Sequence, residues 1–348
     1  MRHRDIPPFY FPTTVAFVDD SADFLANLSL QLDGDLAFKL YDSPLEALVA
    51  LNGINNQPPP SEKFFALYRN GEESPFFHHI IGLNLDKVHR EVHNEFRFEE
   101  VSVAVVDYDM PEINGLEFCR NVKSPAVKKI LLTGKADEKI AVQAFNQGLI
   151  DCFIPKHDAA VIETLNRAIA ELQLAYFYEI EKMLADALAV GSSDFLRDPA
   201  FAEAFREICR ERRTVEYYLC SNPEGILMLD ADAVPSLLVV QTEQDLFSHF
   251  EIAYDQAAPQ DLLDALKSNQ VVPYFWQSGG HYKPECADWQ SCLLPATELK
   301  GRQWYYYSVV RNPPGFKLNS VVSYNEFLAQ LDQQGRSNTN VRPPAFPR

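Results

Sequence analysis

The sequence predicts an α/β protein: a doubly wound, five-stranded parallel domain, a long linking helix, and a C-terminal α+β domain with an antiparallel sheet. Three observations predict it. Residues 13–157 alternate short β-branched runs with helical patterns, as strands covered by helices do. Residues 159–191 carry an apolar stripe at helical spacing, and residues 214–329 are rich in aromatic strands separated by turn signals. At 348 residues the chain is also too long for one ordinary core. The boundaries that follow are a first domain at 1–157 with an insertion at 53–100, a helical linker at 158–213, an α+β domain at 214–333, and a disordered tail at 334–348.

In the first domain the strand runs are 14–18, 36–41, 101–106, 129–132 and 151–154. Helical patterns lie between them at 21–32, 43–52, 114–123 and 136–147, and Gly148 suits the residue after a helix end. The connection 53–100 is far longer than a βα unit commonly uses. It holds Pro58-Pro59-Pro60 and then an amphipathic helix near 84–96, and it reads as an insertion laid over the domain.

The stripe in 159–191 runs Ile162, Leu165, Ile169, Leu172, Tyr176, Ile180, Met183, Ala187, Val190. Such a seam fits a coiled-coil dimer or signalling rod, and equally a helix buried against its own domain. Asp198-Pro199 predicts a cap for a helix over 200–212. Strands are expected at 215–220, 226–229, 236–241, 271–276 and 304–310, with turns at 222–225 and 230–235 and helices at 243–256 and 260–268. Ser323 and Glu326 have the spacing of a capping box for a last helix.

Composition argues against several classes. The formal net charge of −18 disfavours, without excluding, binding to nucleic acid, whose phosphates require a basic face. No apolar run reaches the ~18 residues of a membrane span, and the start lacks the apolar core of a signal peptide, so a cytoplasmic, non-membrane protein is expected. The six cysteines form no CxxC pair and read as thiols of a reducing compartment.

In a doubly wound sheet, ligands bind beyond the carboxyl ends of the strands. Polar residues gather at those ends: Asp19 and Asp20 after the first strand, Asp107 at the third, Thr133 at the fourth and Lys156 at the fifth. Three carboxylates together repel one another and call for a cation, and oxygen ligands of this kind suit Mg²⁺. A carboxylate so placed can attack phosphorus, while Lys156 neutralises the transferred oxygens and Thr133 hydrogen-bonds to one of them.

The residues VAFVDD at 15–20, VVDYDMPEINGLEF at 105–118, LLTGK at 131–135 and DCFIPK at 151–156 carry a resemblance to the receiver family of bacterial two-component response regulators. The resemblance implies that Asp107 is phosphorylated by a sensor histidine kinase. It also implies that Asp19, Asp20 and Asp107 hold Mg²⁺ together with the main-chain carbonyl of Asp109, with Tyr108 nearby. Thr133 and Phe153 would be paired switch residues, and phosphorylation would drive homodimerisation or an output domain. The family usually has proline after the lysine; here Pro155 precedes Lys156 and His157 follows it, which puts the loop geometry in question. Asp109 and Lys135 lie two residues beyond site residues and would tune the lifetime of the phosphate. A receiver followed by an output lacking a helix-turn-helix is also similar to the quorum-sensing response-regulator type found in Legionella.

Other candidates weigh less. His89 and His93, at i and i+4, could share a metal but read as surface histidines; His78-His79 lie on the same insertion. His281, Cys286 and Cys292 match no familiar zinc spacing. No phosphate loop, nucleotide-cyclase or kinase motif is present, and the chain is read as a non-enzyme. The output is expected to bind a protein or ligand through a PAS-like sensor domain. The alternatives are nucleic-acid or nucleotide binding through Arg206, Arg210, Arg212 and Arg213, and an enzyme without a recognisable motif.

Overall fold

The computed structural model describes residues 5–54, 63–69, 79–134, 138–184, 194–316, 318 and 320–338. In chain order the strands are β1 (Phe9–Tyr10), β2 (Thr14–Val18), β3 (Phe38–Tyr41), β4 (Phe65–Arg69), β5 (His79–Leu83), β6 (Val101–Asp107), β7 (Lys128–Thr133) and β8 (Cys152–Pro155). They continue as β9 (Thr214–Ser221), β10 (Glu224–Asp230), β11 (Pro235–Thr242), β12 (Val271–Pro273), β13 (Leu293–Pro295), β14 (Thr297–Lys300) and β15 (Trp304–Arg311). The helices are α1 (Ala22–Ser29), α2 (Pro44–Ile54), α3 (Leu85–Glu91), α4 (Gly115–Asn121), α5 (Glu138–Asn146), α6 (Val161–Leu184), α7 (Pro199–Arg212), α8 (Glu243–Asp255), α9 (Gln260–Lys267) and α10 (Tyr324–Asn338).

The chain divides into two compact units. One comprises Pro12–Pro59, Glu95–Glu179 and Val322–Arg348. Its sheet is parallel, in the order β3-β2-β6-β7-β8, as the alternating runs predicted. Because strand side chains alternate, the sheet feeds two cores. Ala16, Val18, Ala104, Val106 and Leu131 face the helices α2, α4 and α5. Val15, Phe17, Val103, Val105, Ile130 and Leu132 face α1 and α6. The α6 positions Leu165 and Ile169 are buried in that second core, with Ile162 and Leu172 against it. This part of the stripe is therefore a helix packed on its own domain. The lower positions of the expected seam lie where side chains are not described.

Two tertiary contacts finish this unit. The hydroxyl of Tyr176, on α6, bonds to Glu100 at 2.5 Å. On α10, Tyr324 donates to the carbonyl of Asp35 and packs its ring against Phe98. The Ser323–Glu326 capping box forms as expected, each side chain bonding the other's backbone N–H. The last helix runs to Asn338, so the stretch expected to be tail from Gln334 starts inside it.

The other unit comprises Met1–Phe11, Pro60–Asn94 and Ile180–Val321. Its six-stranded antiparallel sheet has the order β1-β9-β10-β11-β15-β14. Phe201, Phe205 and Ile208 of α7 pack on one face, against Tyr217, Ile226, Leu238 and Tyr305. Asp198 caps α7 with Pro199 in its first turn, as predicted. The expected strand at 271–276 stops at Pro273, and β1 and the β4–β5 hairpin were not foreseen. Of the expected insertion at 53–100, Pro60–Asn94 groups with the unit of the antiparallel sheet and the flanking residues with the parallel one. Its Leu85 packs in the α7 core.

Candidate phospho-acceptor site

The site grows out of the ends of four parallel strands. Strand β2 stops at Val18, and the N–H of Asp19 still donates to Tyr41 at the end of β3. Ser21 then caps α1, accepting from the Phe24 N–H, and its own N–H donates to Asp19 Oδ1 at 2.9 Å. Asp19 is thereby fixed with its other oxygen turned to Lys156. Asp107 is the last residue of β6. The following loop folds straight back, with Tyr108 N–H bonded to Leu132 and Gly115 N–H to the Tyr108 carbonyl. Asn114 caps α4.

Lys156 Nζ lies 2.7 Å from Asp19 Oδ2 and 2.8 Å from Asp107 Oδ1. Asp19, Asp20 and Asp107 each bring a carboxylate oxygen within 4.8 Å of the others, with Asp19 and Asp107 buried and Asp20 exposed. No other group of three metal-capable side chains converges among the described residues. Burial is the largest influence on Asp19 and pushes its carboxyl above its ordinary 3.8. The Lys156 and Ser21 bonds pull it back, and the charge of Asp107 pushes it up further. Burial alone would lower Lys156, but its bonds to Asp107 and Asp19 outweigh that and raise it above 10.5. The ion pair holds the ammonium charged.

Two further observations bear on what the rim can take. The Thr133 hydroxyl is buried and has no hydrogen-bond partner among the described residues. A buried polar group left unpaired is costly, which is expected where a ligand oxygen completes it. The donor set is three hard carboxylates with an exposed member, which fits a small divalent cation that keeps waters.

Pro155 sits opposite Thr133 in register on the edge strand, where a missing N–H costs no ladder bond. Lys156 N–H then donates to the Thr133 carbonyl at 2.9 Å, so the departure around 155–157 leaves the lysine on the rim. Asp109 is exposed just beyond Asp107, and Lys135 lies outside the described residues. Phe153 is half-buried on β8, its ring edge-on to Phe145 at 6.4 Å. Sequence reasoning missed two residues. The Lys156 ammonium sits 4.5 Å above the Phe24 ring, a cation–π contact that only folding brings together. Gly115 was within a quoted motif, yet its role needed coordinates: a Cβ there would strike the Asp107 carbonyl oxygen.

The other candidates resolve differently. Among the described residues His281, Cys286 and Cys292 do not converge as metal ligands; the two cysteines are free thiols joined by a hydrogen bond, and His281 packs on His249 at 5.1 Å. His93 is exposed, as expected, but His89 is half-buried, its ring tilted at 54° to that of Phe316 with centroids 5.5 Å apart. His78 lies outside the described residues.

A parallel five-stranded sheet with this rim defines a receiver domain, and the comparisons with known proteins agree. The response regulator receiver domain profile matches residues 86–166. The structure of the Legionella pneumophila response regulator LqsR is similar to this chain at 40% identity and TM-score 0.78, covering 96% of this chain and 98% of that one. The chain belongs to the response-regulator family. An adenylate cyclase from Rhodopirellula baltica (20% identity, TM-score 0.33) covers 49% of this chain and 97% of its own. A receiver domain protein from Clostridium thermocellum (18%, TM-score 0.31) covers 49% and 98%. No curated protein sequence matches. No described helix is long and apolar enough to cross a membrane.

Proposed function

We propose that this response regulator accepts a phosphoryl group on Asp107 from a sensor histidine kinase, in a Mg²⁺-dependent reaction, and passes the signal to its antiparallel-sheet unit. The observation that carries the reading is the Lys156 ammonium bridging Asp19 and Asp107, on the same rim as a Thr133 hydroxyl that has no partner among the described residues. An Asp107 carboxylate oxygen attacks phosphorus as the bond from phosphorus to the kinase's imidazole nitrogen breaks. The electron pair returns to that nitrogen, which takes up a proton. Lys156 stays over the transferred oxygens, and Thr133 donates to one of them. Asp19, Asp20, Asp107 and the Asp109 carbonyl would hold Mg²⁺, which would supply the positive charge that lets an anionic donor approach three carboxylates.

Once the Thr133 hydroxyl is drawn to phosphate, Phe153 follows, and the population shifts toward a state that dimerises or exposes the output. Asp109 and Lys135 flank the mouth and set how long the phosphate lasts. The output binds rather than catalyses, and its setting is the cytoplasm. Size-exclusion chromatography with and without an acyl phosphate donor and Mg²⁺ tests this. Assembly in the wild type and not in Asp107→Asn supports the reading; identical profiles in all four samples overturn the dimerisation arm.

A further inference from the structure

In the unit of the antiparallel sheet, a cavity of about 440 Å³ lies between α3 of the insertion and the turn joining β9 to β10. Small-molecule sites span roughly 300–1,000 Å³ and combine aromatic walls with a few placed polar groups. Tyr274 and Trp276 form one wall, their rings 5.4 Å apart and inclined at 42°. Phe316 forms another, beside the His89 imidazole.

The space is kept open by residues without side chains. Gly280 has φ +96°, and a Cβ there would come within 2.5 Å of Asn222 Oδ1. Gly315 has φ +95°, and a Cβ there would lie 3.3 Å from Trp276 Cβ. Both positions require glycine for conformation and for room. The Tyr274 hydroxyl is committed to the Pro314 carbonyl and the Cys220 thiol to the Tyr218 carbonyl. Burial, reinforced by the charge of His93, lowers His89 and leaves its imidazole neutral, able to donate at one nitrogen and accept at the other. Among the described lining residues there is no lysine or arginine, while Asp86 adds negative charge. That wall disfavours phosphates and carboxylates.

We infer that this cavity binds an uncharged aromatic small molecule, stacked by Tyr274, Trp276 and Phe316 and hydrogen-bonded at its edge by His89. The inference gives the insertion a task, since α3 supplies a wall of the site. It adds an input at the output unit that the phospho-acceptor rim does not require.

The test titrates the full chain with N-phenyl-1-naphthylamine, an uncharged aromatic dye that brightens in apolar sites. The expected result is saturable binding of one dye per chain. His93→Trp, which places an indole at the cavity mouth, and Phe316→Ala, which removes a wall, should each weaken it by roughly tenfold. Phe247→Ala deletes an exposed ring elsewhere and should change nothing, nor should Asp107→Asn, so this test stands apart from phosphorylation. Thermal unfolding is read first for each variant, and if one cavity variant does not fold, the other decides. No saturable binding by the wild type, unchanged binding in a folded cavity variant, or loss in Phe247→Ala overturns the inference.

Discussion

Gly115 packs so tightly beneath Asp107 that a single methyl group on it would overlap the Asp107 carbonyl oxygen and press on Leu131 Cδ1 at 2.8 Å. The loop after β6 can turn back into α4 only because that position is bare. Gly115→Ala is therefore expected to displace the Asp107 backbone and to cost about 1–3 kcal/mol, the usual penalty of overpacking. Denaturant unfolding gives the stability loss, and the phosphorylation rate of the same variant should fall with it.

Thr133 separates stability from function. Its buried hydroxyl has no partner among the described residues, so exchanging it for an apolar group of the same shape removes a cost. Thr133→Val is expected to be as stable as the wild type, or more stable by about 1 kcal/mol. Its phosphorylation by an acyl phosphate should nevertheless slow by roughly tenfold or more, since a donor to the phosphoryl oxygens is gone. A strongly destabilised Val variant would mean that the hydroxyl bonds within the protein.

Asp19 predicts a pH dependence. Its carboxyl lies above 3.8 in the folded chain, so the native state holds the proton more tightly than the unfolded one. Stability from this group falls as pH climbs through that window, and the cost is fully present at neutral pH. The raised Lys156 works in the other range: its contribution is present below 10.5 and disappears above its folded value. In chelator at pH 7, Asp19→Asn should melt about 2–4 °C above wild type, with the gap closing toward pH 3. Added Mg²⁺ should raise the wild-type Tm and leave Asp19→Asn unmoved.

The long helix depends on Tyr176. Its ring is buried and its hydroxyl bonds to Glu100, with burial pushing the phenol well above 10. Tyr176→Phe keeps the ring and removes its hydrogen bond to Glu100. A loss of about 1–3 kcal/mol in denaturant unfolding is expected.

Much of this was legible because strand chemistry is local. β-branched runs at 14–18, 101–106 and 129–132 become β2, β6 and β7 almost residue for residue, and the polar residue after each run has to fall on the rim. Asp19, Asp20, Asp107, Thr133 and Lys156 were thus placed by counting. What counting could not supply were contacts between distant segments. Phe9 pairs with Tyr218 across two hundred residues of chain, and no local pattern distinguishes that pair from an irregular N-terminus. Leu85 belongs to a core made by α7, so the helix of the insertion was visible but its neighbours were not. The stripe of α6 was ambiguous for a related reason: Leu165 and Ile169 show the same spacing whether the partner is another helix or the sheet of their own domain.

Peptide mass mapping after treatment with phosphoramidate tests most directly whether the Asp107 carboxylate, held beside Lys156, is the acceptor. One phosphoryl group is predicted, on the peptide containing Asp107, appearing with Mg²⁺ and not with chelator. Label on another residue, or undiminished label in Asp107→Asn, would contradict it.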